Sequence, residues 1–506
     1  MSLAKTIMLQ GTASHAGKTL LVAGLARIMA QDGYSVAPFK SQNMSLNSWA
    51  DADGGEMGRA QVVQAEAAGI EPRVDMNPIL LKPTSDTGSQ VVVHGQPIGT
   101  MTAQTYQDFK LGLLDAVSES LERLRREFQV VIIEGAGSPA EINFRGRDIA
   151  NMTVAEIADA PVLLIGDIER GGVFASLVGT MELLEAEERE RVAGLIINKF
   201  RGDRSILEPG LDFLEARCRR PVLGVAPFIR GLRIEEEDSV ALTDPRRALW
   251  PSDVRQDFKD NDEQVKVRAV RLPRISNFTD FDALEGCPGF DFRLVEHAAG
   301  LADADLIVIP GTKSTISDLR FLWSSGMAAE IIRKAKAGAA VIGICGGYQM
   351  LGTKILDPQG IDSSAGSIKA LGLLDVETVF APEKDTRQEM GEVVAETPLL
   401  PEGARIRGYE IHMGQSRLGP EASQFLQTGH GADGAVGGNG LVLGSYIHGF
   451  FDSDDVLAGL LSYFGCPAEL PLIDRGLIKE HDYDRLAREL RVSLDIEKIY
   501  DIVGLR

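Results

Sequence analysis

The chain has 506 residues, too many for one hydrophobic core, and its 44% hydrophobic and 25% charged residues are typical of a globular protein. A net charge of −21 argues against a general nucleic-acid binder, and no apolar run approaches the about 20 residues of a membrane span. Because Met1 to Gln10 lacks a signal-peptide layout and four cysteines form no CxxC pair, we expect a cytoplasmic protein without membrane insertion, zinc site or disulfides.

A nucleotide-binding loop is predicted near the N-terminus. Lys5 to Gln10 has the composition of a buried strand, GTASHAGKT (11–19) follows it, and residues 19–29 show helical spacing. The backbone N–H groups of such a loop can surround phosphates, while Lys18 neutralises β/γ charge and Thr19 ligates Mg²⁺. A chance glycine turn is the alternative, but Gly-Lys-Thr at a strand–helix junction favours a P-loop. The predicted ATP-binding residues are Gly11, Thr12, Gly17, Lys18 and Thr19.

Two acids stand at the ends of apolar runs in the first half. Glu134 ends the strand of QVVIIEGAG (129–137), and Asp167 ends PVLLIGD (161–167). A carboxylate buried there costs desolvation energy unless a cation meets it, so Glu134 is interpreted as a metal ligand or a base near the P-loop. A loop acid that only caps a helix is the alternative for both. The repeated strand–helix units predict a parallel sheet that binds ligands at the carboxyl ends of its strands.

The first half resembles the dethiobiotin synthetase type of P-loop enzyme. The resemblance comprises the loop spacing of GTASHAGKT (11–19), Lys40 after the second strand, EGAG (134–137) and DIERGG (167–172). Enzymes of this type phosphorylate a carboxylate or carbamate, so the resemblance implies ATP and Mg²⁺ as cofactors. An exposed acid in the first turn of a helix is the alternative for Glu56. The Mg²⁺ ligands that the resemblance implies by position are Thr19, Glu56 and Glu134.

A cysteine nucleophile is predicted in the second half. VIGICGGYQMLG (341–352) passes from a strand through Cys345 and two glycines into a helix, which is the layout of a nucleophile elbow with cysteine in place of serine. The helix N-terminus favours the reactive thiolate, and a buried structural cysteine is the alternative. The loop in DLIVIPGTKST (305–315) can turn backbone N–H groups toward that thiolate. The predicted oxyanion hole is formed by Gly311 and Gly346, with an ordinary strand–helix turn as the alternative.

A cysteine nucleophile needs a base, and His448 is the prediction among seven histidines. It follows a strand and precedes a glycine in GLVLGSYIHGFF (440–451), which would expose its ring at the edge of the sheet. His412, in RGYEIHMG (407–414), is the second choice. For either residue, the alternative is a histidine that only makes structural hydrogen bonds.

Residues 265–460 resemble the glutamine amidotransferases with a nucleophilic cysteine, and among them the cobyric acid synthase family. Ordinary amidotransferases carry a glutamate two residues after the histidine, whereas this chain has Phe450 there. The family shows the same change, which implies a Cys–His dyad. The motifs that carry the resemblance are PGTKST (310–315), GICGGYQMLG (343–352), GYEIHMG (408–414), SYIHGFF (445–451), KSQNMSLNS (40–48), MNPILLKP (76–83) and RDIANM (147–152).

The resemblance implies amidation of carboxylates b, d, e and g of adenosylcobyrinic acid a,c-diamide with ATP·Mg²⁺ and L-glutamine. ATP would activate each acid as an acyl phosphate, Cys345 would release ammonia, and His448 would carry protons. Cobalt enters only as part of the corrinoid substrate. For Asp148, a helix N-cap is an equal alternative to substrate binding. The implied substrate contacts are Lys40, Asn43 and Asp148.

Three other functions stay open at this point. A cobyrinic acid a,c-diamide synthase has the same chemistry on different carboxylates, and an amidotransferase could act on a non-corrin acid. A P-loop switch with an inactive amidotransferase domain is the alternative from a different class. No oligomeric state is predicted.

The predicted fold class is α/β, with two doubly wound domains. The first is a P-loop domain like dethiobiotin synthetase, and the second is a glutamine amidotransferase domain of class I type. An acidic stretch with irregular pattern separates them, and the C-terminal tail is expected to form helices that pack on the body. The predicted bounds are 1–232 for the first domain, 233–264 for the linker, 265–460 for the second domain and 461–506 for the tail.

Overall fold

The computed structural model describes residues 3–85, 87–235, 264–364, 366–437, 439–466 and 475–506. Most of the predicted linker (236–263) and part of the predicted tail (467–474) lie outside the described residues. The described parts form two α/β domains, each with its own open sheet. Within them, every helix is too short or too polar to cross a membrane.

The first domain alternates strands and helices along the chain. Its strands are β1 (Lys5–Gly11), β2 (Val36–Phe39), β3 (Gln42–Met44), β4 (Ser48–Ala50), β5 (Glu56–Gly58), β6 (Ile79–Pro83), β7 (Gly88–Val93), β8 (Gln96–Thr102), β9 (Val130–Glu134), β10 (Val162–Asp167), β11 (Val192–Phe200) and β12 (Val222–Pro227). Its helices are α1 (Lys18–Gln31), α2 (Arg59–Ala68), α3 (Ala103–Phe109), α4 (Leu114–Glu127), α5 (Met152–Ile157), α6 (Val173–Leu183), α7 (Ala186–Arg191) and α8 (Arg204–Cys218).

A parallel sheet with strand order β12-β11-β10-β1-β9-β2 forms the centre of this domain. Its strands are apolar on both faces because helices cover both. Met8 belongs to one core cluster, while its neighbours Ile7 and Leu9 belong to another. Leu9 of β1 pairs with Glu134 of β9, and Phe39 of β2 pairs with Ile133 of β9. The carboxyl ends of these three strands therefore lie at the same edge of the sheet. The predicted parallel sheet is therefore confirmed.

The second domain begins with βα units and continues into a long antiparallel region. Its strands are β13 (Val265–Val270), β14 (Phe290–Val295), β15 (Leu306–Ile309), β16 (Ala340–Ile344), β17 (Lys354–Leu356), β18 (Ser367–Lys369), β19 (Val376–Val393), β20 (Arg405–Leu418), β21 (Ser423–Thr428), β22 (Gly431–Val436) and β23 (Val442–Ser445). The helices from here to the C-terminus are α9 (Asp282–Gly286), α10 (Thr315–Ser324), α11 (Met327–Lys336), α12 (Gly346–Leu351), α13 (Asp454–Tyr463), α14 (Arg475–Ser493) and α15 (Ile496–Val503).

The sheet of the second domain has the order β14-β13-β15-β16-β23-β22-β21-β19-β17-β18, and β20 pairs with β19. Strands from β14 to β23 run parallel, whereas β22 and β21 continue the sheet antiparallel. β16 therefore lies between β15 and β23, and the loops after these three strands meet at the same edge. α14 and α15 pack on the first domain, where Leu486 and Leu490 share a core cluster with Leu25 of α1.

Candidate functional site

Cys345 lies in the turn between β16 and α12. Its backbone adopts φ 51° and ψ −108°, a conformation that a non-glycine residue rarely takes. A Cβ on Gly347 would overlap the carbonyl oxygen of Ile309, and a Cβ on Gly343 would lie 2.7 Å from the backbone of Gly347. Gly347 is required because the turn packs closely against β15, and Gly343 because β16 packs closely against α12. The strain itself falls on the cysteine, which is the pattern of a nucleophile elbow.

His448 and Asp280 form a hydrogen-bonded pair beside Cys345. The His448 ring lies close enough to Cys345 for their charges to interact, and its Nδ1 lies 2.8 Å from Oδ2 of Asp280. The second oxygen of Asp280 accepts the backbone N–H of Gly449 at 2.8 Å. Burial by itself lowers the pKa of His448, but the Asp280 carboxylate and the Cys345 thiol raise it to about 10. The ring is therefore held as an imidazolium beside the sulfur at neutral pH.

Asp280 was missed in the sequence, and the implied Cys–His dyad is wrong in this respect. The carboxylate comes from a 3-10 turn at Phe278–Phe281, far upstream of the histidine, rather than from the position two residues after it. Phe450, which occupies that position, is buried and packs against Phe425 and Phe451. The only available signal was an acid within ISNFTDFDAL (275–284), and nothing local distinguished it from its neighbours.

Gly311 and Gly346 both lie against the catalytic set. A Cβ on Gly311 would be 2.7 Å from Cε1 of His448, and a Cβ on Gly346 would be 3.1 Å from the backbone nitrogen of Thr312. The Thr312 hydroxyl donates to Asp318 at 2.5 Å, which holds the loop after β15 in place. The structure thus brings the two glycines predicted for the oxyanion hole close to the thiol and the imidazole. It also places Thr312, which follows Gly311 in the loop, next to Gly346.

His412, the second choice for the base, has other contacts. Its ring stacks on Tyr446 with 3.7 Å between centroids, and its Nδ1 lies 2.9 Å from the carbonyl oxygen of Gly414. It stands within β20 rather than at the end of a strand. The neighbouring residue is closer to the nucleophile, since the Cys345 thiol points to the carbonyl oxygen of Ile411 at 3.7 Å.

The loop from Gly11 to Lys18 has the backbone of a phosphate-binding loop. Gly17 has φ 86°, and a side chain there would overlap Asn198. Thr12 is anchored by its N–H to the carbonyl oxygen of Ile165 at 2.9 Å, beside the end of β10. Lys18 is buried, and its ammonium lies 3.4 Å from the carbonyl oxygen of Gly137. A buried lysine so close to a helix N-terminus suits a polyphosphate ligand.

Glu134 is the centre of a buried polar cluster behind that loop. Its Oε1 accepts from the Thr19 hydroxyl and from the Lys40 ammonium, each at 3.0 Å. Its Oε2 accepts from the side-chain amide of Gln64 at 2.6 Å. The hydroxyl and the carboxylate offer the oxygen ligands that Mg²⁺ prefers, so Thr19 and Glu134 fit this metal. Within the described residues, no three His, Cys, Asp or Glu side chains form a group suited to a metal ion.

Glu56 is not grouped with Thr19 and Glu134 in this structure, contrary to the predicted metal site. It lies on β5, is fully buried, and forms ion pairs with Lys82 of its own domain and Lys384 of the second domain. The alternative for Glu56, an exposed acid in the first turn of a helix, is also wrong. β5 pairs with β4, which delays the start of α2 until Arg59 and turns the carboxylate toward the domain interface.

The other predicted substrate contacts lie on the same side of the first domain. Lys40 bonds Glu134, while Asn43 is buried and donates to the side chain of Gln61 at 3.2 Å. The carboxylate of Asp148 instead accepts the backbone N–H groups of Asn151 and Thr153 at the start of α5, although the N-cap position itself is Asn151. A cavity of about 460 Å³ adjoins this segment, lined among others by Lys110, Gly137, Arg145, Asp148 and Asn151.

Both halves of the chain match known protein families. Residues 7–240 match the CobQ/CobB/MinD/ParA nucleotide binding domain. Residues 266–456 match the CobB/CobQ-like glutamine amidotransferase domain. The catalytic set of Cys345, His448 and Asp280 lies within the second match, and the loop that contains Lys18 lies within the first.

Several curated proteins are similar over nearly the whole chain. A cobyric acid synthase of Dehalococcoides mccartyi is 50% identical over 99% of this chain and 99% of its own length. A cobyric acid synthase of Pelotomaculum thermopropionicum is 49% identical over 99% of this chain and 97% of its own length. A cobyric acid synthase of Desulforamulus reducens is 48% identical over 100% of this chain and 99% of its own length. Among solved structures, PurLQS from Thermotoga maritima is 21% identical, covers 40% of this chain and 99% of its own, and has a TM-score of 0.32. A TM-score of 0.32 carries no argument about the fold.

Proposed function

The chain belongs to the cobyric acid synthase family, and on that premise we propose that it amidates carboxylates b, d, e and g of adenosylcobyrinic acid a,c-diamide. ATP and L-glutamine are the co-substrates, and the product is adenosylcobyric acid. A nucleotide-binding domain and an amidotransferase domain in one chain support an amidoligase of this type. Cobalt takes part only as a component of the substrate.

The first domain would activate the carboxylate. A carboxylate is a poor electrophile because oxide is a poor leaving group, whereas the phosphate of an acyl phosphate leaves readily. Lys18 at the helix N-terminus neutralises phosphate charge and positions ATP for in-line transfer to the corrinoid acid. Thr19 and Glu134 would hold Mg²⁺, which supplies charge neutralisation at the β- and γ-phosphates when bound. Lys40, bonded to Glu134, holds this carboxylate in its orientation.

The second domain would release ammonia from glutamine. The Cys345 sulfur attacks the amide carbon while the His448 imidazolium gives its proton to the departing nitrogen. Asp280 holds the ring in position and stabilises its charge. Backbone N–H groups at Gly346 and in the loop after β15 would bind the developing oxyanion. Water then attacks the thioester, with His448 as the base, and frees glutamate.

Close packing of the two domains around the catalytic histidine is the observation that carries the proposal. Tyr409 stacks on His448 with 5.4 Å between centroids, and Trp49 of the first domain packs on Tyr409 at 4.4 Å. The backbone N–H of Ser48 also donates to Asn277 of the second domain at 2.9 Å. Ammonia released at Cys345 therefore emerges beside the first domain and need not leave the protein.

The test is incubation with glutamine, ATP·Mg²⁺ and each candidate corrinoid, followed by mass analysis of the amides formed. The proposal predicts amidation of the a,c-diamide at its remaining peripheral acids, with one ADP and one glutamate formed for each new amide. Amidation of cobyrinic acid only at carboxylates a and c would overturn the choice of substrate. Glutaminase activity that survives Cys345→Ser would overturn the choice of nucleophile.

A further inference from the structure

The domain interface contains a buried cluster of charged side chains that the proposed reaction does not use. Lys82 of β6 and Lys384 of β19 bind opposite oxygens of Glu56, so one carboxylate joins a cation from each domain. Glu56 is 0% exposed, and the side chains of Lys82 and Lys384 are 4% and 5% exposed. Charges are rarely buried so completely unless they are paired. Here the cations outnumber the carboxylate that joins them.

A further lysine increases this positive charge. Lys313 lies half-buried near the cluster, and desolvation, followed by repulsion from Lys384 and Lys82, lowers its pKa to about 7. Glu56 and Asp362 act in the opposite direction. Lys82 and Lys384 balance the charges of Glu56 and Asp362, so protonation of Lys313 gives this part of the interface a net positive charge.

One side of this cluster adjoins the nucleophile. Lys384 lies where β19 bulges, next to the pairs Asp385–His412 and Thr386–Ile411 with β20. The Cys345 thiol points to the carbonyl oxygen of Ile411, which places Lys384 beside the point where ammonia is released. Burial lowers the pKa of Lys384, while Glu56 and the ionised form of Cys345 act in the opposite direction.

The other side leads to the ATP site through a row of buried amides. Gln64 donates to Glu134 at 2.6 Å, Gln61 donates to Gln64 at 3.5 Å, and Asn43 donates to Gln61 at 3.2 Å. Gly58, two residues after Glu56, leaves room for this row because a Cβ there would overlap Asn43. Neutral amides can both donate to and accept from ammonia without protonating it.

We propose that Lys82, Glu56 and Lys384 form a cationic filter, through which neutral ammonia passes to the amide row and ammonium does not. The inference rests on the proposed function, since it names how nitrogen released at Cys345 reaches the activated acid. Like charge repels ammonium from the interface, whereas ammonia has no net charge to be repelled. Loss of a proton is required in any case, because only ammonia has the lone pair that attacks an acyl phosphate.

The test replaces Lys384 by methionine, which keeps the length of the side chain and removes its charge. Glutamine hydrolysed per amide formed is measured in the wild type, in K384M and in K384R. We expect this ratio to rise several-fold in K384M, because nitrogen escapes as ammonium, and to stay near the wild-type value in K384R. The control is Lys336→Met at the exposed end of α11, which should leave the ratio unchanged. If K384M is insoluble, Lys384→Gln takes its place.

A second measurement separates this filter from the proposed function itself. In the glutaminase-inactive Cys345→Ser background, ammonium chloride supplies the nitrogen, and adding K384M should preserve amidation. An unchanged ratio in K384M, or loss of ammonium-driven amidation in the double variant, would overturn the filter. Failure of the proposed function would instead appear in the wild type, as absence of any glutamine-driven amidation.

Discussion

At the scale of single residues, Asp280 has the largest effect in keeping His448, the proposed base, charged. Burial alone would favour a neutral His448, and the nearby carboxylate is what keeps the ring charged. A charged ring next to Cys345 can supply the proton that the departing nitrogen needs. The same carboxylate holds the backbone of Gly449, so it fixes the turn as well as the ring.

Asp280→Asn should therefore lower glutaminase kcat/KM by about 10²- to 10⁴-fold, the usual contribution of a positioned acid–base group. Without the carboxylate, the pKa of His448 falls because the largest of the influences that oppose burial is gone. The alkaline limb of the pH–rate profile should then move to lower pH. The exposed Asp454→Asn serves as the control. An unchanged pH profile would contradict the role of Asp280.

The same pKa links stability to pH. A group whose pKa is raised on folding stabilises the protein fully below its unfolded pKa, which for histidine is about 6.5. For His448 this contribution is lost as the pH rises through about 10. The difference in unfolding free energy between the wild type and Asp280→Asn should accordingly shrink toward high pH. Chemical denaturation at several pH values measures it.

At the scale of elements, the elbow between β16 and α12 depends on the absence of side chains. Gly347 faces the backbone of β15, which cannot move aside as a flexible side chain could. The sharp turn brings Cys345 to the edge where β15 and β23 also end. The catalytic geometry is thus a consequence of close packing between neighbouring strands.

Gly347→Ala should destabilise the protein by about 1–3 kcal/mol, the range for overpacking a filled core, and should abolish glutaminase activity. The control is Gly179→Ala within α6, where a Cβ meets nothing within 4 Å. That change should stabilise the helix by about 0.5–1 kcal/mol. Equal effects of the two substitutions would contradict the packing account. Denaturant unfolding and glutamine hydrolysis provide the two measurements.

The C-terminal helices belong to the first domain by their packing. Leu490 of α14 is buried in its core, and a Cβ on Gly24 of α1 would overlap the leucine side chain. Leu490→Ala should cost about 2–5 kcal/mol of unfolding free energy. Val492→Ala on the same helix, at a side chain that is 83% exposed, should cost little. Thermal or denaturant unfolding measures the loss of unfolding free energy in each variant. Comparable losses in the two variants would contradict this packing.

At the scale of the whole molecule, sequence reasoning predicted positions in the fold where the signal is local. Cys345, His448 and Lys18 each stand in a strand–turn–helix or strand–glycine pattern, and the structure brings them to the edges of two sheets. It failed where contacts span the chain. Asp280 and His448 are 168 residues apart, and Glu56 and Lys384 are 328 apart. An isolated acid gives no sign of a partner so distant, because only the folded sheet brings them together.

Nitrogen released at Cys345 is proposed to be used within the same molecule. The direct measurement supplies glutamine with heavy nitrogen in its side-chain amide, together with excess unlabelled ammonium chloride, and weighs the amidated corrinoid. The account predicts that the new amides carry the heavy isotope and that unlabelled ammonium does not dilute it. New amides that carry mainly unlabelled nitrogen would contradict the account, because they would show that ammonia mixes with solvent before it reacts.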